Sequence, residues 1–335
     1  MTAPRAAPAF RSDFEPRYGE VERVAPGIRR ILAHNPSKYS AWGTGTYLIG
    51  GDLAGGGPGG PVAVIDPGPD VDSHHRALDA ALEGEEVAAI LVTHTHADHS
   101  PASARLAELT GAIRYGYGPH PAAAIPAARD EAEPDDNGAD EDGADEESGS
   151  YDAEFVPDVT LRDGDVIGAD LHPGADWRFV AIHTPGHISN HLCFAETTRN
   201  VLFSGDHVMG WSTTVISPPD GRIDDYLRSL RLLLDRDEHT YYPTHGPAIT
   251  DPVPFVRSLL DHRLEREREI LALIQRNGTR SIDELVAEMY ASVRPELHAP
   301  AARSVEAHLI KLLDDAVVEL IDDRFRLSAQ RSPSV

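Results

Sequence analysis

Residues 94–99 read His-Thr-His-Ala-Asp-His, three imidazoles and one carboxylate within six positions, directly after the apolar run Val87-Ala88-Ala89-Ile90-Leu91-Val92. The chain has 17 His among 335 residues, and at that frequency such a knot arises by chance well under about once per hundred chains of this length. It reads as a metal site at the end of a strand. Side chains of a regular strand alternate between its faces, so bringing these four groups to one place requires a loop. Ser100-Pro101 reads as the N-cap and first position of a helix running through Arg105 and Leu106 to Gly111.

The pattern of an apolar run that ends in a ligand-type residue recurs. Phe179-Val180-Ala181-Ile182 leads into His183-Thr184-Pro185-Gly186-His187, Val201-Leu202-Phe203 into Ser204-Gly205-Asp206-His207, and Tyr241-Tyr242 into Pro243-Thr244-His245-Gly246. Val62-Ala63-Val64-Ile65 ends in Asp66-Pro67-Gly68. A glycine near each candidate lets the backbone approach closely, as a crowded site requires.

The ordered set His94-x-His96-x-Asp98-His99, His187, Asp206 and His245 resembles the metallo-β-lactamase superfamily over roughly residues 20 to 260. That resemblance implies an α/β fold, an αββα sandwich of two similar halves with metals at one edge between the sheets. It implies that His94, His96 and His187 hold one metal, that Asp98, His99 and His245 hold a second, and that Asp206 bridges them. Asp98 and Asp206 are the carboxylates it assigns to catalysis. Asp66 is expected behind the ligands, orienting one of them.

Seven ligands exceed what one tetrahedral zinc takes. An imidazole-rich set suits zinc, with iron, manganese or nickel as less selective alternatives, better than it suits calcium or magnesium. Two ions a few ångströms apart lower the pKa of a bridging water from 15.7 to about 7 and generate hydroxide at neutral pH. The expected reaction is hydrolysis of a small ester, thioester or lactone. Within the superfamily, Asn35-Pro36-Ser37, Gly43-Thr44-Gly45-Thr46-Tyr47-Leu48, Gly205-Asp206-His207-Val208-Met209-Gly210 and Tyr226-Leu227-Arg228-Ser229-Leu230 resemble the β-lactamase-like protein 2 branch. Gly45 departs from that branch, whose members usually carry Asn there. Some of its members cut single-stranded RNA, which makes an endoribonuclease one rival reading. A DNA-binding regulator with a metal-site sensor is a second rival, from a different class.

Other candidates are weaker. His207 is expected behind the ligands or facing substrate, and Lys38 and Tyr39 are expected to meet a substrate carbonyl or carboxylate. His183 and His191 are read as packing or orienting residues, and Cys193, the only cysteine, as a buried structural thiol. His74, His75, His120, His172, His262, His298 and His308 lack ligand spacing and are read as ordinary surface or core residues.

Composition frames these readings. One cysteine excludes a disulfide scaffold and suits a reducing cytosol. Residues 1–20 have no apolar core of signal-peptide length, and no apolar run approaches a membrane span; a cytoplasmic protein without membrane partners is expected. The net charge is −25, but residues 130–154 hold thirteen acidic residues and no basic one, leaving −12 elsewhere. This stretch, about 130–152, reads as a disordered insertion in a domain spanning 1–260.

From 261 to 335 the pattern changes. Helices are expected over Arg263 to Gln275, from the capping box Ser281-Ile282-Asp283-Glu284, and over Ala301 to Leu313, followed by the hairpin Val317–Ile321 and Arg324–Leu327. Three helices and a hairpin make a small winged-helix-like domain. Asp261 to Arg331 contains eleven Lys and Arg against fourteen Asp and Glu, which lacks the basic footprint that phosphate contacts need. A small-molecule substrate is therefore favoured over nucleic acid.

Overall fold

The computed structural model describes residues 8–51, 60–120, 151–291 and 298–328. Its first sheet contains, in spatial order, β1 (Val21–Ala25), β2 (Ile28–Leu32), β3 (Gly45–Ile49), β4 (Val62–Ile65), β5 (Val87–Leu91), β6 (Ile113–Gly116) and β7 (Val159–Thr160). β1 to β4 pair antiparallel and β4 to β7 parallel. Parallel neighbours need crossovers; α1 (Asp72–Ala81) carries the chain from β4 to β5 and α2 (Ala102–Thr110) from β5 to β6. The second sheet is built from β8 (Val166–Ile167), β9 (Phe179–His183), β10 (Leu192–Glu196), β11 (Val201–Gly205) and β12 (Thr240–Pro243), ordered β12-β11-β10-β9-β8. β11 and β12 are its parallel pair, joined through α3 (Ile223–Leu234).

Strand alternation explains the layers. Ala63 and Ile65 of β4 join Phe179, Phe194 and Phe203 in the core between the sheets. Val62 and Val64 point the other way, onto Leu78 of α1 and Leu106 of α2. In the second sheet, Cys193, Ala195 and Leu202 turn outward onto Tyr226, Leu227 and Leu230 of α3. Fully burying a Val, Leu, Ile or Phe side chain contributes about 1.5–3 kcal/mol, so strands buried on both faces hold the ligand-bearing loops on rigid supports. The architecture is the expected αββα sandwich.

α4 (Pro252–Asn277) spans two cores. Val256 and Leu259 pack with α3, while Ile270 and Ile274 pack with Leu285, Val305, Leu309 and Phe325. The latter come from α5 (Ile282–Met289), α6 (His298–Asp314) and β14 (Arg324–Leu327), the partner of β13 (Val318–Ile321). Ser281 and Glu284 form the expected capping box. α4 begins eleven residues before the expected Arg263, because Pro252 and Pro254 sit in its first turn, where a missing N–H costs nothing. α2 ends at Gly111 (φ 73°) as expected, but Ser100 does not cap it: its hydroxyl donates to Asp152 Oδ2 at 2.6 Å instead. Residues 130–150 of the acidic stretch lie outside the described residues. Among those described, no helix is long and apolar enough to cross a membrane.

Candidate metal centre

Parallel pairing of β4 with β5 and of β11 with β12 brings four strand ends to one edge of the sandwich. Asp66 stands at the end of β4, the 94–99 loop after β5, Asp206 after β11 and His245 after β12, while His187 lies in the turn after β9. Gly186 makes that turn at φ 138°, where a Cβ would come within 2.4 Å of Tyr226 Cα in α3. Only glycine lets His187 be carried so close to the helix.

The side chains converge into two overlapping groups. His94 Nε2 and His187 Nε2 lie 2.8 and 3.0 Å from His96 Nδ1. His99 Nε2 is 3.5 Å from Asp98 Oδ1, and His245 Nε2 is 3.2 Å from Asp98 Oδ2. Asp206 Oδ2 sits between the groups, 3.7 Å from His187 Nε2, 3.6 Å from His99 Nε2 and 3.4 Å from His245 Nε2. His94/His96/His187, His94/His99/Asp206 and Asp98/His99/His245 each offer three ligand atoms within 4.8 Å of one another. Ligands at 2.0–2.1 Å from a tetrahedral ion stand about 3.3 Å apart, close to the spacings seen.

The outer hydrogen bonds fix which nitrogen of each ring carries a proton. Asp66 is fully buried and accepts from Thr93 N, Thr93 Oγ1, His99 Nδ1 and Thr244 Oγ1, at 2.8–2.9 Å. Thr93 spends its proton on Asp66, so at 3.0 Å its hydroxyl oxygen accepts from His94 Nδ1. His187 Nδ1 donates to Val215 O at 2.6 Å and His245 Nδ1 to Gly43 O at 3.1 Å. With the rings neutral, as a bound cation would require, the Nε2 lone pairs of His94, His99, His187 and His245 would all face inward, toward other ligand atoms. Converging lone pairs repel one another unless a cation lies among them. This donor set fits divalent metal ions.

Electrostatics without a cation agrees. Burial disfavours charge on His99 and His245, yet the Asp98 and Asp206 carboxylates override it and raise both, His245 to about 10. A proton thus takes the place a metal would fill. Burial pushes His94 and His96 well down, so they remain neutral donors.

The remaining expectations divide. Asp66 stands behind the ligand cluster, accepting from His99 Nδ1 at 2.9 Å. Tyr39 lines the cavity in front of the site, whereas Lys38 is not among the lining residues and holds its ammonium 5.3 Å from the Tyr39 ring centre. His207 does not face substrate: it is fully buried between His191 and Tyr226, with ring centroids 5.8 and 4.7 Å away, and burial lowers it to about 3. His191 Nε2 accepts from the Asp206 backbone N–H at 3.2 Å, and His183 Nε2 bonds Ser189 O at 2.9 Å. Cys193 is buried, and burial pushes its thiol up to about 12.

His120 departs from its reading as an ordinary residue. Its ring stacks on Tyr151 at 3.8 Å, and Tyr151 stacks on His96 at 5.3 Å. Thr44 was missed as well: its hydroxyl donates to Asp98 Oδ2 at 2.8 Å, while Asn35 brackets it through Asn35 Nδ2 to Thr44 Oγ1 and Thr44 N to Asn35 Oδ1. Its sequence signals were the motifs Asn35-Pro36-Ser37 and Gly43-Thr44-Gly45-Thr46-Tyr47-Leu48, neither of which points to Asp98. Gly45, where a side-chain amide is absent, donates its own N–H to Thr244 O at 2.8 Å, and a Cβ there would press on Arg30 and Thr244 O at 3.1 Å. Arg263 of α4 is buried, donating to Thr214 O and, at 3.2 Å, to Ser304 Oγ of α6. It thereby ties the small domain to the loop whose next residue, Val215, holds His187.

The sequence model of the metallo-β-lactamase superfamily matches residues 43–245, more than half the chain, and that of the β-lactamase-associated winged helix domain matches residues 281–326. The chain belongs to the metallo-β-lactamase superfamily, with a C-terminal winged helix domain, and is a hydrolase of that superfamily. A β-lactamase-like protein 2 homolog of Caenorhabditis elegans is 28% identical over 302 residues, covering 89% of this chain and 88% of the relative. An atrochrysone carboxyl ACP thioesterase of Aspergillus chevalieri is 28% identical over 317 residues, covering 90% and 86%. Among solved structures, a β-lactamase domain protein of Burkholderia ambifaria superposes with TM-score 0.71 at 20% identity, covering 95% of this chain and 96% of that one. A metallo-β-lactamase family protein of Thermus thermophilus gives 0.67 at 23%, covering 91% and 100%. At these identities the two structures speak for the fold alone.

Proposed function

We propose that the protein is a binuclear, zinc-dependent hydrolase of small esters, thioesters or lactones. His94, His96 and His187 would hold one ion and Asp98, His99 and His245 the other, with Asp206 shared between the two sets. The carrying observation is the set of inward-facing lone pairs, imposed by Asp66, Thr93, Val215 and Gly43, around the Asp206 carboxylate. Two ions held there would supply an activated water at neutral pH and polarise the substrate oxygen.

The protein's own groups position the rest. Asp66 and Thr44 keep the two ligand sets in register, and Asp98, whose Oδ2 is held by Thr44, carries the ligand loop into the cavity floor. The thioesterase relative supports carbonyl chemistry by its name. An RNA strand needs cationic groups along its track, and none of the described residues lining the cavity is Lys or Arg. The division of the chain near residue 260, with the small domain bracing the cavity loop through Arg263, belongs to the same proposal, as does a cytoplasmic setting.

A panel of activated esters, thioesters, lactones and single-stranded RNA at about 150 mM salt tests it, with Asp206→Ala as the control for contaminating enzymes. Zinc-dependent turnover of a carbonyl substrate that Asp206→Ala abolishes is expected. RNA cleavage exceeding every carbonyl substrate, or at most one ion bound at saturation, refutes the reading.

A further inference from the structure

The loop between β2 and β3 touches both the cavity and the metal edge. Asn35, Pro36, Ser37, Tyr39 and Ser40 are among the residues that line the cavity. The two residues that close the loop, Gly43 and Thr44, reach behind the second ligand set. Gly43 O accepts from His245 Nδ1 at 3.1 Å, and the Thr44 hydroxyl donates to Asp98 Oδ2 at 2.8 Å. Two of the three ligands of that set thus hang on adjacent residues of one loop. The first set takes its support elsewhere, His94 from Thr93 and His187 from Val215.

The direction of the Thr44 proton is settled by the chain. The backbone N–H of Thr44 can only donate, so Asn35 turns Oδ1 toward it at 2.9 Å and presents Nδ2 to Thr44 Oγ1 at 3.0 Å. An amide nitrogen donates, so the hydroxyl accepts there and has its one proton left for Asp98. Thr44 is fully buried and Asn35 half-buried. A hydroxyl oriented in this way keeps Asp98 Oδ2 beside His245 and leaves Oδ1 on the His99 side.

The rest of the loop is tied to the same pair. Ser40 Oγ donates to Asn35 O at 2.6 Å, and Ser37 Oγ accepts from the backbone N–H groups of Tyr39 and Ser40 at 3.1 and 3.0 Å. The Gly43 N–H donates to Ser40 O at 2.9 Å. Gly43 makes the return at φ 116°, where a Cβ would collide with Ala33 O, so the loop closes in this shape only on glycine. Displacing the cavity side of the loop therefore displaces Asn35, and with it the hydroxyl on Asp98.

We propose that residues 35–44 form a strap that sets the affinity of the second ligand set, Asp98, His99 and His245, for its ion without setting that of the first. Asn35 and Thr44 are its positioning residues. Because the strap also lines the cavity, order in that lining and occupancy of the second set are linked, and such linkage is reciprocal. An ion on the second set steadies residues 35–44, and slack in them loosens that ion. The proposal rests on the binuclear reading for there being two ions and goes beyond it in making only one of them answer to the cavity.

Stepwise zinc titration against a chromogenic chelator reads the two affinities, and amide hydrogen exchange of residues 35–44 reads the strap at each stage. Asp98→Ala identifies the step that belongs to the second set. Thr44→Val keeps the shape and removes the hydroxyl; it is expected to weaken that step about 10–100-fold and to leave the other within about twofold. Thr44→Ser, which keeps the hydroxyl, is expected to recover most of the loss. Asn35→Ala frees the Thr44 hydroxyl to rotate and should weaken the same step severalfold; at a half-buried position, it serves if Thr44→Val fails to fold. In the wild-type protein, exchange across residues 35–44 is expected to slow severalfold as the second set fills and to stay level as the first set fills.

Equal weakening of both steps, weakening of neither in a folded variant, Thr44→Ser as impaired as Thr44→Val, or exchange indifferent to the second ion overturns the proposal. A wild-type protein that binds a single ion overturns it together with the binuclear reading. Two steps that separate as expected, in a protein that turns over no ester, thioester or lactone, uphold the strap and overturn the acyl-hydrolase reading alone.

Discussion

Replacing Asp66 with Asn changes one atom in a fully buried position and separates orientation from space-filling. Oδ1 accepts from Thr93 N, while Oδ2 accepts from Thr93 Oγ1, Thr244 Oγ1 and His99 Nδ1. An amide has one acceptor oxygen and one donor nitrogen, so one side must lose its partner. With the nitrogen toward Thr93, the backbone N–H of Thr93 is orphaned. Turned over, the amide opposes His99 Nδ1–H, and only the two hydroxyls can rotate to adapt. One orphaned buried donor costs about 1–3 kcal/mol, which corresponds to a few degrees up to about ten in melting temperature. The centre suffers separately: His99 loses its charged acceptor, and His94, held through the Thr93 hydroxyl, loses its fixed orientation. Loss of such a partner typically weakens metal binding about 10–100-fold, or about 1.4–2.8 kcal/mol. Competition with a chromogenic chelator reads the affinity, and calorimetric melting of the metal-free protein reads the stability. Asp66→Asn that keeps wild-type affinity within about twofold would falsify the idea that this carboxylate organises the ligands.

Three further outcomes follow from side chains at different distances from the centre. His172 bonds the buried Tyr115 hydroxyl at 2.9 Å in the inter-sheet core, so His172→Gln should leave metal content unchanged by elemental analysis. His120→Ala removes the outer member of the stack on Tyr151 and His96 and should accelerate metal loss to a chelator; equal loss from both variants would show the stack to be irrelevant. Arg263→Met unclamps Thr214 O and leaves that acceptor and Ser304 without their guanidinium. Metal release is expected to quicken about tenfold through slackened support of His187, and an unaltered rate in a folded variant would contradict the link between α4 and the centre.

What the chain disclosed before folding was mostly local. β4, β5, β9, β11 and β12 were legible because each is a short apolar run that leads into ligand-type residues, and those residues were legible because strand ends are where side chains leave the sheet. Contacts between distant segments were not. Ser100 looks like a helix cap until Asp152, 52 positions away, takes its hydroxyl. His207 looks available beside Asp206, but which way a residue after a strand turns depends on the helix packed behind it, here Tyr226 of α3. Thr44 lies in a recognisable motif, but nothing local shows that its hydroxyl meets Asp98, 54 residues further on.

His120 and Tyr151 close a clasp with consequences for how the chain can vary. Thirty residues separate them in sequence, yet their rings stack at 3.8 Å and the inner ring leans on His96. Their contact fixes two points of the chain, far apart in sequence, against each other at the metal edge. Loss of either ring takes away part of the aromatic support behind His96, so the two positions are expected to vary together rather than singly.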